Sequence, residues 1–375
     1  MISAAETFDV IVIGSSPLLL IEALYLEREG HRVAVVEKRN RLGGAWYTRP
    51  LWEFERIQIG CHYIERGRRG YAFLQEYLGI ALERQSVKAV WLNTDDVAPE
   101  DEPFLRKIAR RFVRKILWGR FLSDDVWGVI KSLDRKDPYK FARAVRRMVF
   151  SPPYLYPAGG SRSIVDSLAR RVASSSIELL DNSFVEYVVV GTGGRPNRCC
   201  IDGRTYHANS LVLGQHVYPR LQMFEGEPEE TETRYETNVL LRIAGEKRVP
   251  FEYIEIHRND LVNRVHDVSA CADARDPSAK PSSDLLICCN LTKTGTQHSN
   301  VNPTQVFTHL LDVGLLENGA RLLDSHVEQY PSPESKEFES TDSVRVFKTY
   351  DLGVGLERNA GRWKSLLQPQ GAPAG

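Results

Sequence analysis

The chain has 375 residues, 42% of them hydrophobic and 26% charged, enough for one large globular domain or two interleaved ones. Lysine plus arginine and aspartate plus glutamate both total 49, so no global charge bias points to nucleic acid or a membrane surface as partner. The six cysteines include the adjacent pairs Cys199/Cys200 and Cys288/Cys289 and no Cys-x-x-Cys, which suggests neither a disulfide framework nor a structural zinc site and fits a reducing, cytoplasmic setting.

The N-terminus has no basic region leading into a long apolar stretch and a cleavage site, so no secretory signal is predicted. The longest apolar runs, such as Val10–Ile13 and Val33–Val36, fall far short of the roughly 20 residues of a membrane helix, and no span is expected. Phe8–Ile13, apolar apart from Asp9 and ending at Gly14, reads as a buried parallel strand. Pro17 to Glu29 carries apolar residues at helical spacing and stops at Gly30. Arg32–Val36 is a second buried strand, followed by Glu37 23 positions after Gly14, near the spacing of about 20 for an acid that holds a ribose. Strand, tight turn, helix, strand, acid is the order of a dinucleotide-binding βαβ unit.

The first turn reads Gly14-Ser15-Ser16-Pro17-Leu18-Leu19 and keeps only the first of the usual three glycines. Ser16 is placed to offer its amide and hydroxyl to a phosphate at the helix N-terminus, and Pro17 suits the first helical turn. Leu19, standing where the third glycine would, is expected to hold the helix slightly off the strand.

Tyr71–Met148 reads as helical and locally basic, with 14 lysines and arginines against 4 aspartates over 106–147. Three readings of its amphipathic face stay open: a solvated surface, a basic mouth for an anionic substrate, or a contact with a membrane surface or partner. A Pro157-Ala158-Gly159-Gly160 turn then leads into a helix near Ser163, and His207–Gly214 is another buried strand. Runs between about Tyr235 and Leu291 predict an antiparallel sheet, with Ala270–Asp284 as a surface loop and Gln368–Gly375 as a disordered tail. Within that sheet Tyr253, Arg258, Asn263 and Arg264 are substrate candidates, since arginine pairs with phosphate or carboxylate; the alternative is ordinary surface salt bridges. His257, His266 and His298 are scattered, and no metal site is expected. Motifs for a serine nucleophile elbow, a Walker loop or a His-Glu-x-x-His helix do not occur.

GSSPLLL followed by VVEKRNRLGGAW resembles the FAD-binding N-terminus of the superfamily that holds flavin amine oxidases, protoporphyrinogen oxidases, phytoene desaturases and UDP-galactopyranose mutases. The Glu37–Gly44 stretch and GCHYIE, Gly60 to Glu65, are most similar to the mutases, as is Tyr330-Pro331. The resemblance implies that Gly14, Ser15 and Ser16 form the phosphate turn and that Glu37 binds the adenosine ribose. It also implies that Lys38, Arg39, Gly43, Gly44, Ala45 and Trp46 line the diphosphate and flavin, with His62 beside the isoalloxazine. The alternative for His62 is a satisfied core histidine. YPAGGSRSIVDSLARR is similar to a turn and helix of these families, which places Val185 at the adenine. Asp351 and Leu352 stand where a second glycine-rich FAD motif is usual.

The implied fold is α/β: a Rossmann-like FAD-binding domain of the glutathione-reductase type with a helical cap and an antiparallel β-sheet substrate domain. Its parts are 1–70, 151–220 and 331–367 for FAD, 71–150 for the basic cap, 221–330 for the substrate domain and 368–375 for the tail. The expected function is an FAD-dependent oxidoreductase acting on a small molecule, anionic or nucleotide-linked, with no nucleic acid as partner. A nucleotide-sugar mutase using reduced flavin and a non-catalytic flavoprotein-like scaffold are the alternatives.

Overall fold

A computed structural model describes residues 6–60, 62, 64–65, 68–85, 87–91, 121–123, 154–191, 193–214, 222–223, 234–248, 251–257, 261–269, 273–274, 284–291, 301–332, 343–347 and 352–368. Two large sheets organise it. The first contains β1 (Glu6–Ile13), β2 (Val33–Val36), β10 (Glu178–Leu180), β11 (Val185–Val189), β12 (Asn197–Ile201), β13 (Arg204–Gly214), β14 (Gln222–Met223) and β21 (Val344–Phe347). Its order is β10-β2-β1-β13-β12-β11-β14. The long β13 is shared: its first half pairs antiparallel with β12, and Leu211–Gly214 pairs parallel with β21.

The second sheet runs β20-β15-β19-β17-β16-β7-β8. Its strands are β7 (Val87–Trp91), β8 (Phe121–Ser123), β15 (Arg234–Ala244), β16 (Tyr253–His257), β17 (Val262–Asp267), β19 (Leu285–Leu291) and β20 (Arg321–Ser332). Two three-stranded sheets complete the pattern: β3 (Thr48–Leu51) and β4 (Phe54–Gln58) with β18 (Asp273–Ala274), and β5 (Ile64–Glu65) and β6 (Leu82–Gln85) with β9 (Tyr154–Pro157). The α-helices among the described residues are α1 (Pro17–Arg28), α2 (Arg68–Leu78), α3 (Ser161–Ala173), α4 (Pro303–Asp312) and α5 (Leu352–Asn359).

The apolar run Val10–Ile13 in β1 follows from burial on both faces. Val10 and Val12 pack with α1, α2, α3 and α5, whereas Ile11 and Ile13 pack with β11, β12 and β13 on the opposite side. Helix α1 is likewise enclosed, with Leu18, Leu19, Leu20 and Ile21 all at most 1% exposed. Leu19 is thus absorbed into the core despite standing in a glycine position. On the α5 side, Gly355 makes room for Leu18: a Cβ built there would lie 2.2 Å from Leu18 Cδ1. Gly355→Ala is therefore expected to cost about 1–3 kcal/mol by overpacking, read as a lower urea midpoint; an unchanged midpoint would show that α5 shifts freely.

The structure departs from the sequence expectations in three places. The segment Tyr71–Met148 is not helical throughout: α2 ends at Leu78 and is followed by β6 and β7, with β8 further on. Residues 87–91 (VKAVW) gain a parallel partner in β16, so sheet pairing outweighs any local helical pattern. The second sheet is consequently mixed, antiparallel except at β16–β7. Within the expected loop Ala270–Asp284, Asp273 and Ala274 bridge to β4. The basic stretches 106–120 and 124–147 and the tail 369–375 lie outside the described residues. Among the described residues no helix is long and apolar enough to cross a membrane.

Candidate functional site

The β1–α1 turn, the Glu37–Trp46 segment and the start of β4–β5 converge at the C-terminal end of the first sheet, where open α/β sheets bind ligands. Gly14 has φ 95° and donates its amide to Val36 O at 2.8 Å, which brings the ends of β1 and β2 together. Ser15 is buried and ties three strands of the turn. Its hydroxyl donates to Glu37 Oε2, and both its carbonyl and its hydroxyl oxygen accept from the Gly43 amide at 3.0 Å. Glu37, 7% exposed, also accepts the Arg39 amide on Oε1 at 3.0 Å. The acid is held in place before any ligand arrives.

Ser16 is the extended N-cap of α1, yet its side chain caps nothing, and its buried Oγ has no hydrogen-bond partner among the described residues. Gly44 closes over it. With φ 57°, a Cβ at Gly44 would sit 3.2 Å from Ser16 Cα, so only glycine lets the two backbones approach this closely. Gly43, at φ 122°, meets Val165 of α3 in the same way at 2.9 Å. Lys38 lies over Phe184, 5.0 Å from the ring centroid. Ala45 is exposed. Val185 is buried at the start of β11, and the chain leading to it is bonded back to the site, Ser183 N to Glu37 O at 3.0 Å and Asn182 N to Arg39 O at 3.2 Å.

Trp46 stacks on His62 with centroids 4.8 Å apart and planes at 21°. Burial lowers the His62 pKa to about 4, even though the Ala45 and Ile59 carbonyls favour its charged form, so the ring is neutral at neutral pH. Its Nε2 is buried without a partner among the described residues. Arg39 donates to Gly44 O at 3.2 Å and reaches Glu328 of β20 at 3.5 Å; Arg49 of β3 donates to the same carboxylate oxygen at 2.5 Å. Glu328 Oε2 is a third buried atom without a partner among the described residues.

Sequence reasoning did not single out Gln58 or Tyr156 and read His266 only as a scattered histidine, yet the three lie together. Gln58 accepts from the Tyr156 hydroxyl and from Ser161 N (3.2 Å), and donates to Gly60 O at 2.9 Å. His266 stands edge-on to Tyr156 at 5.5 Å, and burial lowers its pKa to about 4. Gln58, 1% exposed at the end of β4, was the legible member: a buried amide in that strand requires partners. Tyr253 is buried in register with His266. Arg264 is exposed and in register with Asn290. Asn263 has a buried, unpartnered Oδ1 among the described residues. Arg258 and Asp351 lie outside them, and Leu352 is a buried core residue at the start of α5.

Residues 12–77 match a family described as NAD(P)-binding Rossmann-like domain. Among curated proteins no sequence matches the chain. A putative protoporphyrinogen oxidase from Exiguobacterium sp. 255-15 superposes with TM-score 0.62 at 13% identity, over 97% of this chain and 98% of the other. Cyclohexylamine oxidase from Brevibacterium oxydans gives 0.57 at 14% identity, over 96% and 98%. The chain shares its overall fold with both. Rab GDI from Plasmodium falciparum, whose name is not that of an oxidase, shares it, with TM-score 0.58 at 12% identity over 97% and 98%. In this shared fold, the first sheet carries the β1–α1 turn, and the second sheet supplies Glu328 and His266.

Proposed function

We propose that this protein is an FAD-binding oxidoreductase of the amine oxidase and protoporphyrinogen oxidase type, acting on a small molecule. One observation carries the reading: three buried polar atoms without partners among the described residues, Ser16 Oγ, His62 Nε2 and Glu328 Oε2, surround the Gly43–Trp46 turn. Ser16 lies against Gly44, Glu328 reaches Gly44 O through Arg39, and His62 stacks on Trp46. Buried polar groups are normally satisfied, so a cluster of orphans fits a polar ligand that completes them.

The residues present suit FAD. The α1 N-terminus with Ser16 would hold the diphosphate, Glu37 the adenosine ribose, and the Gly43–Trp46 turn the passage to the ring system. Bound FAD would supply the hydride acceptor. The neutral His62 offers an acceptor nitrogen rather than a positive charge, and the stacked Trp46 keeps water from that side. Gln58, Tyr156 and His266 form a buried polar network close to the His62 ring. The mutase alternative gains no specific support from the likenesses above.

The scaffold alternative rests on Glu37, whose two oxygens already accept from Ser15 and Arg39. Absorbance of the purified protein and a thermal shift with FAD separate the readings. A flavin spectrum is expected, and FAD at 1,000 times its Kd should add about 4 kcal/mol to stability. A colourless protein whose melting temperature ignores excess FAD would leave the scaffold reading standing.

A further inference from the structure

Glu328 is 9% exposed, and 289 positions separate it from Arg39, its partner across the turn. Both arginines address the same oxygen, Oε1, Arg49 at 2.5 Å and Arg39 at 3.5 Å. The ion pairs therefore account for half of the carboxylate and leave Oε2 without a donor among the described residues. His326 does not fill the role. Its Nε2 is 3.9 Å from Oε2, beyond hydrogen-bond reach. That nitrogen also lies 3.2 Å from Arg49 Nη1, which has only protons to offer, so Nε2 is the acceptor there and carries no hydrogen for Glu328. Among the described residues, two guanidiniums against one carboxylate leave a surplus positive charge next to an acceptor oxygen that no donor reaches. Such a pair of features matches a ligand with a hydroxyl beside an anionic group.

We propose that Glu328 is a cofactor-binding residue supplied by the second sheet, its Oε2 accepting a hydroxyl of the polyol chain of FAD beside a diphosphate that Arg39 and Arg49 help to neutralise. The inference rests on the FAD reading above. The polyol, rather than the adenosine ribose, is assigned because Glu37 takes the ribose position at one end of the Glu37–Trp46 segment. Glu328 instead joins through Arg39 to the carbonyl of Gly44, two residues before Trp46. The cofactor then bridges the two sheets.

Titration calorimetry on the full chain with FAD and with ADP, which has the adenosine and diphosphate but no polyol, tests this in the wild type, Glu328→Gln and Glu328→Ala. The ratio of Kd for FAD to Kd for ADP is expected to rise about tenfold in the alanine variant and in the same direction in the isosteric glutamine variant, which keeps the packing if alanine unfolds. A Glu328 that only neutralised the arginines would, when removed, tighten both ligands together. A ratio unchanged within twofold in the folded variants, with FAD still bound by the wild type, overturns this proposal alone. A wild type that binds neither ligand overturns the flavin reading and this proposal with it.

Discussion

Replacing Glu22 by alanine is expected to remove about 3–5 kcal/mol of folding stability, the range for breaking a buried ion pair from one side. Glu22 is the one acid in the apolar run of α1 and is fully buried. Its Oε1 accepts from Arg362 at 2.8 Å and Arg345 at 3.2 Å; its Oε2 accepts from the buried Trp363 indole at 2.6 Å and again from Arg362 at 3.3 Å. One carboxylate thus fastens the segment 345–363 to α1. Alanine leaves a cavity, an orphaned indole N–H and two cations facing each other. Glu22→Gln keeps an acceptor for the indole and should lose less. Urea denaturation decides the matter: an alanine variant within 1 kcal/mol of the wild type would mean that the arginines turn to solvent and the hub contributes little.

Acid is expected to weaken the fold before the carboxylates titrate. His62 and His266 are held neutral with pKa values of about 4, against 6.5 for an unhindered histidine, and burial is the first cause for both. Between pH 6.5 and 4 the unfolded chain binds protons that the folded chain refuses, so stability falls as pH falls through this window and is complete above it. Each histidine contributes about 3 kcal/mol to the loss by pH 4, and their mutual repulsion couples the two. His309 and His326, also lowered chiefly by burial, act in the same direction. In His62→Asn or His266→Asn the difference in urea midpoint between pH 7 and pH 4.5 should shrink relative to the wild type. Equal differences in all three proteins would refute the assignment.

How much of this the sequence disclosed depends on the range of the interactions. Most residues of strands β1 and β2 and of helix α1 are local and buried, so their apolar runs declare them, and Gly43-Gly44 marks a turn of positive φ where a side chain is strained. Glu22 carried a signal as well: an acid amid LLLIEALYL has no exposed face to occupy and must find a partner in the core. Glu328 gave none. In RLLDSHVEQYPS it reads as an ordinary solvent-facing strand residue, and its partners Arg39 and Arg49 lie far along the chain. The helical reading of 71–148 failed at β7 because the partner that makes it a strand lies far along the chain.

That distance bears on how the protein is made. At about 5–20 residues per second, a ribosome that has finished Val87–Trp91 needs roughly 8–30 s more to deliver Tyr253–His257, the parallel neighbour of the strand. During this interval one edge of β7 is open, and apolar sequence already outside the tunnel cannot complete its sheet. Nascent chains of this length are open to wrong pairings and to chaperones that shield bare edges. Yield on expression should therefore respond to slower translation and lower temperature more than the stability of the finished molecule would suggest.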